Sequence, residues 1–209
     1  MSILAHKLRR TPQQQVGGGI TLVDSFVDGV SRTASLTCNV GDLILTVGVD
    51  ASNATVTPTS TGVTLTSLNL QTTAGHTARL LYGYATSTSV FIDGDLTANP
   101  LNGFVAIALN NATYQDFTAA KGTSGNNDPP SITATINPSD WIVVLGGNDR
   151  GDDFSAYSSG YTGIGINNDD VCVAAEYKTG ISASSENPPA FTSISGYWAS
   201  FTIHVTPTA

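Results

Sequence analysis

The residues of this chain best suited to chemistry are carboxylates gathered in short polar runs. The densest is Asn148-Asp149-Arg150-Gly151-Asp152-Asp153, followed by Asn167-Asn168-Asp169-Asp170 and Asp93-Gly94-Asp95. Paired carboxylates can perform acid and base work on a glycosidic bond when a cleft holds them at a fixed separation. Asp149, Asp152 and Asp153 also offer oxygen ligands to a hard cation, although their spacing does not match the twelve-residue calcium loop. All three runs fall where Gly, Asn and Asp are expected for backbone reasons alone, so solvated turns are the expected reading. Arg-Gly-Asp at 150–152 also occurs in adhesion proteins, but a tripeptide in a Gly/Asp-rich turn arises readily by chance. His6, His76 and His204 are scattered, and no Gly-x-Ser-x-Gly elbow occurs. Cys38 and Cys172 lack further ligands at zinc spacing and lie in apolar alternation, where two free core thiols are expected, with a long-range disulfide as the alternative. The residues therefore form no catalytic set, and call for neither a metal nor a cofactor.

Aromatic side chains are the next candidates. Tyr157, Tyr161, Tyr197 and Trp198 cluster late in the chain, and Tyr82 and Tyr84 share one strand face. Exposed Tyr and Trp stack on sugar rings or anchor interfaces. Asp149, Arg150, Asp152, Tyr157, Tyr161 and Trp198 are thus the candidate partner or glycan contacts. Trp141 reads as a core plug.

These residues need a scaffold, and the pattern around them is period two almost throughout. Strands are expected at 20–26, 32–38, 42–49, 62–70, 78–86, 89–93, 103–109, 131–136, 141–147, 163–166, 171–177 and 198–205. Leu43-Ile44-Leu45, Val105-Ala106-Ile107-Ala108-Leu109 and Trp141-Ile142-Val143-Val144-Leu145 are continuously apolar, as in strands buried on both faces. No stretch shows sustained helical periodicity, although 114–121 has room for a turn or two of helix. Two long loops are expected, at 118–130 and 148–163. Dense turn signals between short strands argue for an all-β protein, a jelly roll or β-sandwich of antiparallel strands. No repeat of fixed period is visible, so 20–209 reads as one β domain.

Residues 1–19 differ from all that follows. They contain Lys7, Arg9 and Arg10 and no acid, and end in Gly17-Gly18-Gly19. The remainder holds five Lys/Arg against sixteen acids. The arm is thus +3 and the body −11. A basic arm on an acidic body suggests a module that docks onto something larger. Ile3, Leu4 and Leu8 can enter apolar grooves while His6, Lys7, Arg9 and Arg10 meet acidic groups, for instance through an added strand on a sheet edge. The acidic body disfavours nucleic acid as the main partner. No apolar run approaches the roughly eighteen residues of a membrane span, and Ile3-Leu4-Ala5 is too short for a signal h-region, so no membrane association and no free secretion are expected. Charged residues make up 11% of the chain, well below the roughly 25% of ordinary soluble domains, which suits a surface largely covered by neighbours.

The succession Gly41-Asp42-Leu43-Ile44-Leu45, Leu80-Leu81-Tyr82-Gly83-Tyr84-Ala85-Thr86, Gly103-Phe104-Val105-Ala106-Ile107-Ala108-Leu109, Ser131-Ile132-Thr133-Ala134-Thr135, Trp141-Ile142-Val143-Val144-Leu145 and Trp198-Ala199-Ser200-Phe201-Thr202-Ile203 resembles jelly-roll virion proteins of tailed bacteriophages. It spans about residues 40–206 and most resembles capsid decoration (cement) proteins. The resemblance implies a non-enzymatic protein made in the host cytoplasm and carried on the capsid exterior. It also implies an arm that clamps neighbouring major capsid proteins and a body that self-associates as a homotrimer. The alternative within the same resemblance is a tail- or head-fibre protein that binds host carbohydrate.

Overall fold

A computed structural model describes residues 19–30, 32–50, 58–73, 76–94, 102–123, 127–149, 154, 156–169, 171–191 and 196–209. The expected arm contacts Ile3, Leu4, His6, Lys7, Leu8, Arg9 and Arg10 lie outside the described residues, as do Arg150, Asp152 and Asp153.

The chain is an all-β sandwich, and every strand pair among the described residues is antiparallel. Strands β1 (Thr21–Asp28), β2 (Thr33–Thr37), β3 (Leu43–Asp50), β4 (Thr59–Thr61), β5 (Thr66–Thr73), β6 (His76–Tyr84), β7 (Ser89–Asp93) and β8 (Asn102–Asn110) make the first half. Strands β9 (Ala112–Gly122), β10 (Ile132–Ile136), β11 (Trp141–Asp149), β12 (Thr162–Asn168), β13 (Val171–Lys178), β14 (Ala183–Glu186) and β15 (Trp198–Pro207) make the second. All twelve expected strands are present with ends shifted by a few residues. The helical turns expected at 114–121 are instead part of β9, which also takes the first residues of the loop expected from 118. Its ladder to β15 runs from Ala112 opposite Pro207 to Gly122 opposite Trp198, and satisfies backbone groups that a short helix would leave open at its ends. The two short strands β4 and β14 are additional.

Two five-stranded sheets dominate, in the orders β1-β8-β3-β6-β5 and β9-β15-β11-β13-β12. Each half thus places its first strand beside its last, its third strand next, and then a hairpin. Each half also carries a smaller sheet, β2-β7-β4 in the first and β10-β14 in the second. This is the weave of a jelly roll, with the outer hairpin strand moved beside its partner. The body expected over 20–209 therefore contains one weave twice.

Local details repeat with it. β1 bulges against β8 between Leu22 and Asp24, and β9 bulges against β15 between Tyr114 and Asp116. The outer hairpin strands bulge between Ser67 and Asn69 and between Gly163 and Gly165, opposite Leu81–Leu80 and Glu176–Ala175. The turn into each third strand is also the same. Asp42 Oδ2 accepts Asn39 N–H at 2.7 Å, and Asp140 Oδ2 accepts Asn137 N–H at 2.8 Å. Each Asn side-chain amide reaches the same carboxylate oxygen. The carboxylates close these turns as local side-chain caps.

The five-stranded sheets pack face to face, β3 over β11, β8 over β13, β6 over β15, β1 over β12 and β5 over β9. That pairing defines a pseudo-twofold axis along the strands, between β3 and β11. The main core lies across this interface. It includes Leu43, Leu45, Val47 and Leu80 from one half and Val143, Leu145, Phe201 and Ile203 from the other. The halves meet at Asn111, whose φ of 53° places it in the left-handed region that Asn tolerates. Cys38 and Cys172 are free and buried, as expected from their alternation.

Candidate functional site

The polar residues that the fold gathers lie on the outer face of β13, β11 and β15, beneath the loop before β12 and the strand β14. Alternation along β13 points Val171, Val173 and Ala175 into the main core, and therefore turns Cys172, Ala174, Glu176 and Lys178 outward. Ladder register then sets Glu176 and Thr202 on either side of Val144, and Lys178 and His204 on either side of Ile142.

Glu176 is fully buried. Its Oε2 accepts the Ser158 N–H at 2.8 Å, and Ser158 Oγ donates to the Pro189 carbonyl at 2.9 Å. One carboxylate thus holds the 156–161 loop, and that loop holds the segment after β14. Burial raises the Glu176 carboxyl above its ordinary range, and the Ser158 hydrogen bonds oppose that rise. Nearby, Glu186 Oε1 accepts from the Tyr161 hydroxyl at 3.1 Å and from Lys178 Nζ at 2.7 Å. Lys178 Nζ also lies 5.5 Å from the centre of the Tyr161 ring. Burial, then the charge of Glu186, push the Tyr161 phenol well above its ordinary value, so it stays protonated and acts as a donor. On the other side of Ile142, Asp140 Oδ2 lies 3.0 Å from His204 Nε2 with both groups buried. Asp140 thus joins the end of β15 to the turn before β11.

Chemically this array is a set of anchors. Its carboxylates hold loop backbone, a phenol, an ammonium and an imidazole. Among the described residues, no three His, Cys, Asp or Glu side chains are grouped to hold a metal ion.

Of the glycan contacts expected from the sequence, Tyr161 belongs to this array, and Tyr157 packs nearby on β12. A Cβ at Gly163 would lie 2.1 Å from the Tyr157 ring, so Gly163 leaves the space that the ring fills. Trp198 corrects the expectation that it offers a stacking face. It is 7% exposed, and a Cβ at Gly122 would lie 2.4 Å from its Nε1. Its ring lies against Gly122 of β9, the strand paired beside β15, in a stretch that the sequence suggests is helix or loop. Asp149 ends β11 opposite Val171. Trp141 is buried and stacks on Tyr177 at 4.0 Å, as expected for a core plug. Among the acidic pairs, Asp93 ends β7 and Asp169 lies in the turn after β12, while Asp95 and Asp170 are outside the described residues.

Sequence reasoning passed over Glu176, Asp42 and Asp140. The signal for the two aspartates was present. Asn39-Val40-Gly41-Asp42 and Asn137-Pro138-Ser139-Asp140 share Asn and Asp at the same spacing, and each precedes an apolar strand.

Comparison with protein-family models, with curated proteins and with solved structures found no match. The fold and the anchoring array define an all-β, antiparallel sandwich protein.

Proposed function

We propose that this chain is a non-enzymatic structural protein of a phage virion, a capsid decoration protein whose basic N-terminal arm clamps neighbouring major capsid proteins. The alternative as a carbohydrate-binding fibre protein loses its main stacking surface with the burial of Trp198.

The observation that carries the reading is the root of the arm. Ile20, immediately before β1, is 1% exposed and packs in the main core between the sheets. A pull on residues 1–19 is therefore resisted by the largest hydrophobic cluster of the molecule, as a grip requires. The arm is basic and the body acidic, so the arm is suited to acidic grooves on a neighbour. Self-association as a trimer would multiply weak arm contacts through effective concentration.

The test compares full-length protein with a form lacking residues 1–19 for co-sedimentation with purified capsid shells. Shell binding is expected to vanish while the body keeps its β circular-dichroism spectrum. Undiminished occupancy by the truncated form would refute the proposal.

A further inference from the structure

The two ends of the sandwich differ in charge. One end collects the start of β1, the turns before β3 and β11, the ends of β6, β8 and β13, and the start of β9. Ladder register places these together: Thr21 is opposite Asn110, Leu43 is opposite both Leu109 and Tyr84, and Ile142 is opposite Lys178. Tyr84 Oη accepts the Tyr114 N–H across the two halves at 3.3 Å, which puts the start of β9 at the same end.

The exposed side chains Val40, Tyr84, Asn111, Pro138, Ser139 and Thr179 at the tip of this end are uncharged, and the partly exposed Asp24 carboxylate set just behind the tip accepts the Thr37 N–H. Val40 is 66% exposed, and Tyr84 is 40% exposed. The two acids of the turns, Asp42 and Asp140, are directed inward and are 1% and 2% exposed. Asp116 and Lys178 flank this end on β9 and β13. Charge collects instead at the opposite end, where Arg32, Lys121, Asp128 and Asp169 are exposed and Asp93 is partly so.

We infer that the uncharged end is the face this protein turns toward the protein shell that holds its arm. The inference rests on the proposed decoration role and deepens it by naming the contact surface. Three observations support it. The segment of 18 residues outside the described structure joins the body here, at Gly19, so the arm starts from this end. A body with five basic residues against sixteen acids is repelled by an acidic partner, and it approaches most easily through the end where acids are buried in turns. Val40 and Tyr84 supply apolar area at that end, with Tyr among the residues that anchor interfaces. The turns are also pre-formed. Asp42 accepts from Asn39 and Asn110, and Asp140 from Asn137, so docking orders little that is not already fixed. The partner that fits is a protein surface with a shallow apolar, uncharged contact next to a more acidic groove for the arm.

The experiment uses full-length protein and purified capsid shells. Val40→Asp with Ser139→Asp adds charge at two exposed turn positions whose side chains take no part in the turn hydrogen bonds described above. Val30→Asp, at a 45% exposed site on the opposite end, is the control. Co-sedimentation across a concentration series is expected to show at least tenfold weaker binding for the double variant and wild-type binding for the control, with all three folded by circular dichroism. Equal binding by the double variant and wild type overturns the inference, as does equal weakening by the control. The arm deletion separates the two claims. If it abolishes binding and the double variant binds normally, the arm reading stands and the face is wrong. If it leaves binding intact and the double variant weakens it, the face stands and the arm reading is wrong. Shells that bind no form of the protein overturn both.

Discussion

The two halves share a weave, two bulges and a turn, yet they fill the layer outside the main core differently. In the first half that layer is mostly apolar. Phe104, Ala106 and Ala108 on β8 and Ile44 on β3 pack against Ala34, Leu36, Val90 and Ile92 of the small sheet. By ladder register their counterparts on β15 are Ser200 for Phe104, Thr202 for Ala106 and His204 for Ala108, while Glu176 replaces Leu81. The exchange is not all one way, since Thr46 and Arg79 stand opposite Val144 and Ala174 in the same comparison. Turns and bulges, which recur, set the weave; the layer beneath the small sheet is free to change. In the second half it has changed from filler to fastening, with Glu176 holding the 156–161 loop and Asp140 meeting His204. Glu176 Oε2, Ser200 Oγ and the Asp140–His204 pair are hydrogen-bonded, while Glu176 Oε1 and Thr202 Oγ1 are buried without a partner, so the layer offsets only part of its desolvation cost.

The largest effect that would sharpen this contrast is at one matched pair. Phe104→Ala empties a fully buried ring site and is expected to cost about 3–5 kcal/mol. Ser200→Ala removes little volume and a long, 3.5 Å hydrogen bond to the Asp128 carbonyl, and is expected to cost under about 1 kcal/mol. Urea unfolding of both variants reads the difference. Equal costs would show that the two layers are energetically alike and break the comparison.

A second matched pair separates the halves by pH. His76 follows the inward phase of Ala78 and Leu80 and is fully buried at the interface between the sheets; its counterpart is Val171. Burial lowers the imidazole from 6.5 to about 4, with Asp50 opposing the shift. The unfolded chain therefore takes up a proton first. The stability from keeping His76 neutral is complete above pH 6.5 and is lost as pH falls from 6.5 to about 4, a change of about 3 kcal/mol. His76→Val, which installs the residue of the second half, should remove that slope in urea unfolding measured from pH 7 to pH 4. An unchanged slope would place the acid sensitivity elsewhere.

How much of this was legible in the sequence depends on range. Strand positions were, because alternation is local. Leu43-Ile44-Leu45 and Val143-Val144-Leu145 announce strands covered on both sides without any knowledge of what covers them. β9 was not legible, because Tyr114 to Lys121 alternates poorly. Its strand state comes from ladder bonds to β15, far on in the sequence, with Tyr114 opposite Val205 and Lys121 opposite Ala199. The duplication was hidden for a related reason. Register preserves which positions face each other but not what fills them, and the offset between counterparts drifts where bulges and connections differ in length. Only the Asn-x-x-Asp turn kept its letters, because one backbone geometry demands that side-chain cap. The anchoring array was the least legible part. Glu176 sits in an apolar run, Val171-Cys172-Val173-Ala174-Ala175-Glu176, where sequence alone gives no sign that Ser158 waits across a loop.

The smallest effect tests whether Glu176 is a fastening or a burden. Its carboxyl is raised in the folded protein, chiefly by burial, so the folded state holds its proton more tightly than the unfolded chain. The stability linked to that proton is complete below the ordinary carboxyl range and is lost as pH rises through the folded value, the opposite direction to His76. Glu176→Gln keeps an oxygen to accept the Ser158 N–H and removes the charge. Its unfolding midpoint relative to wild type should therefore improve as pH rises from 4 through the folded carboxyl value and then level off, and hydrogen exchange at Ser158 should stay slow. A variant that runs parallel to wild type at every pH would mean that the carboxylate charge costs the fold nothing. A variant that is less stable throughout, with fast exchange at Ser158, would mean that the charge itself holds the loop. Either outcome would change what distinguishes the second half from the first, because a charge tolerated without penalty in a position that Leu81 fills elsewhere is a different kind of exchange from one the fold must offset.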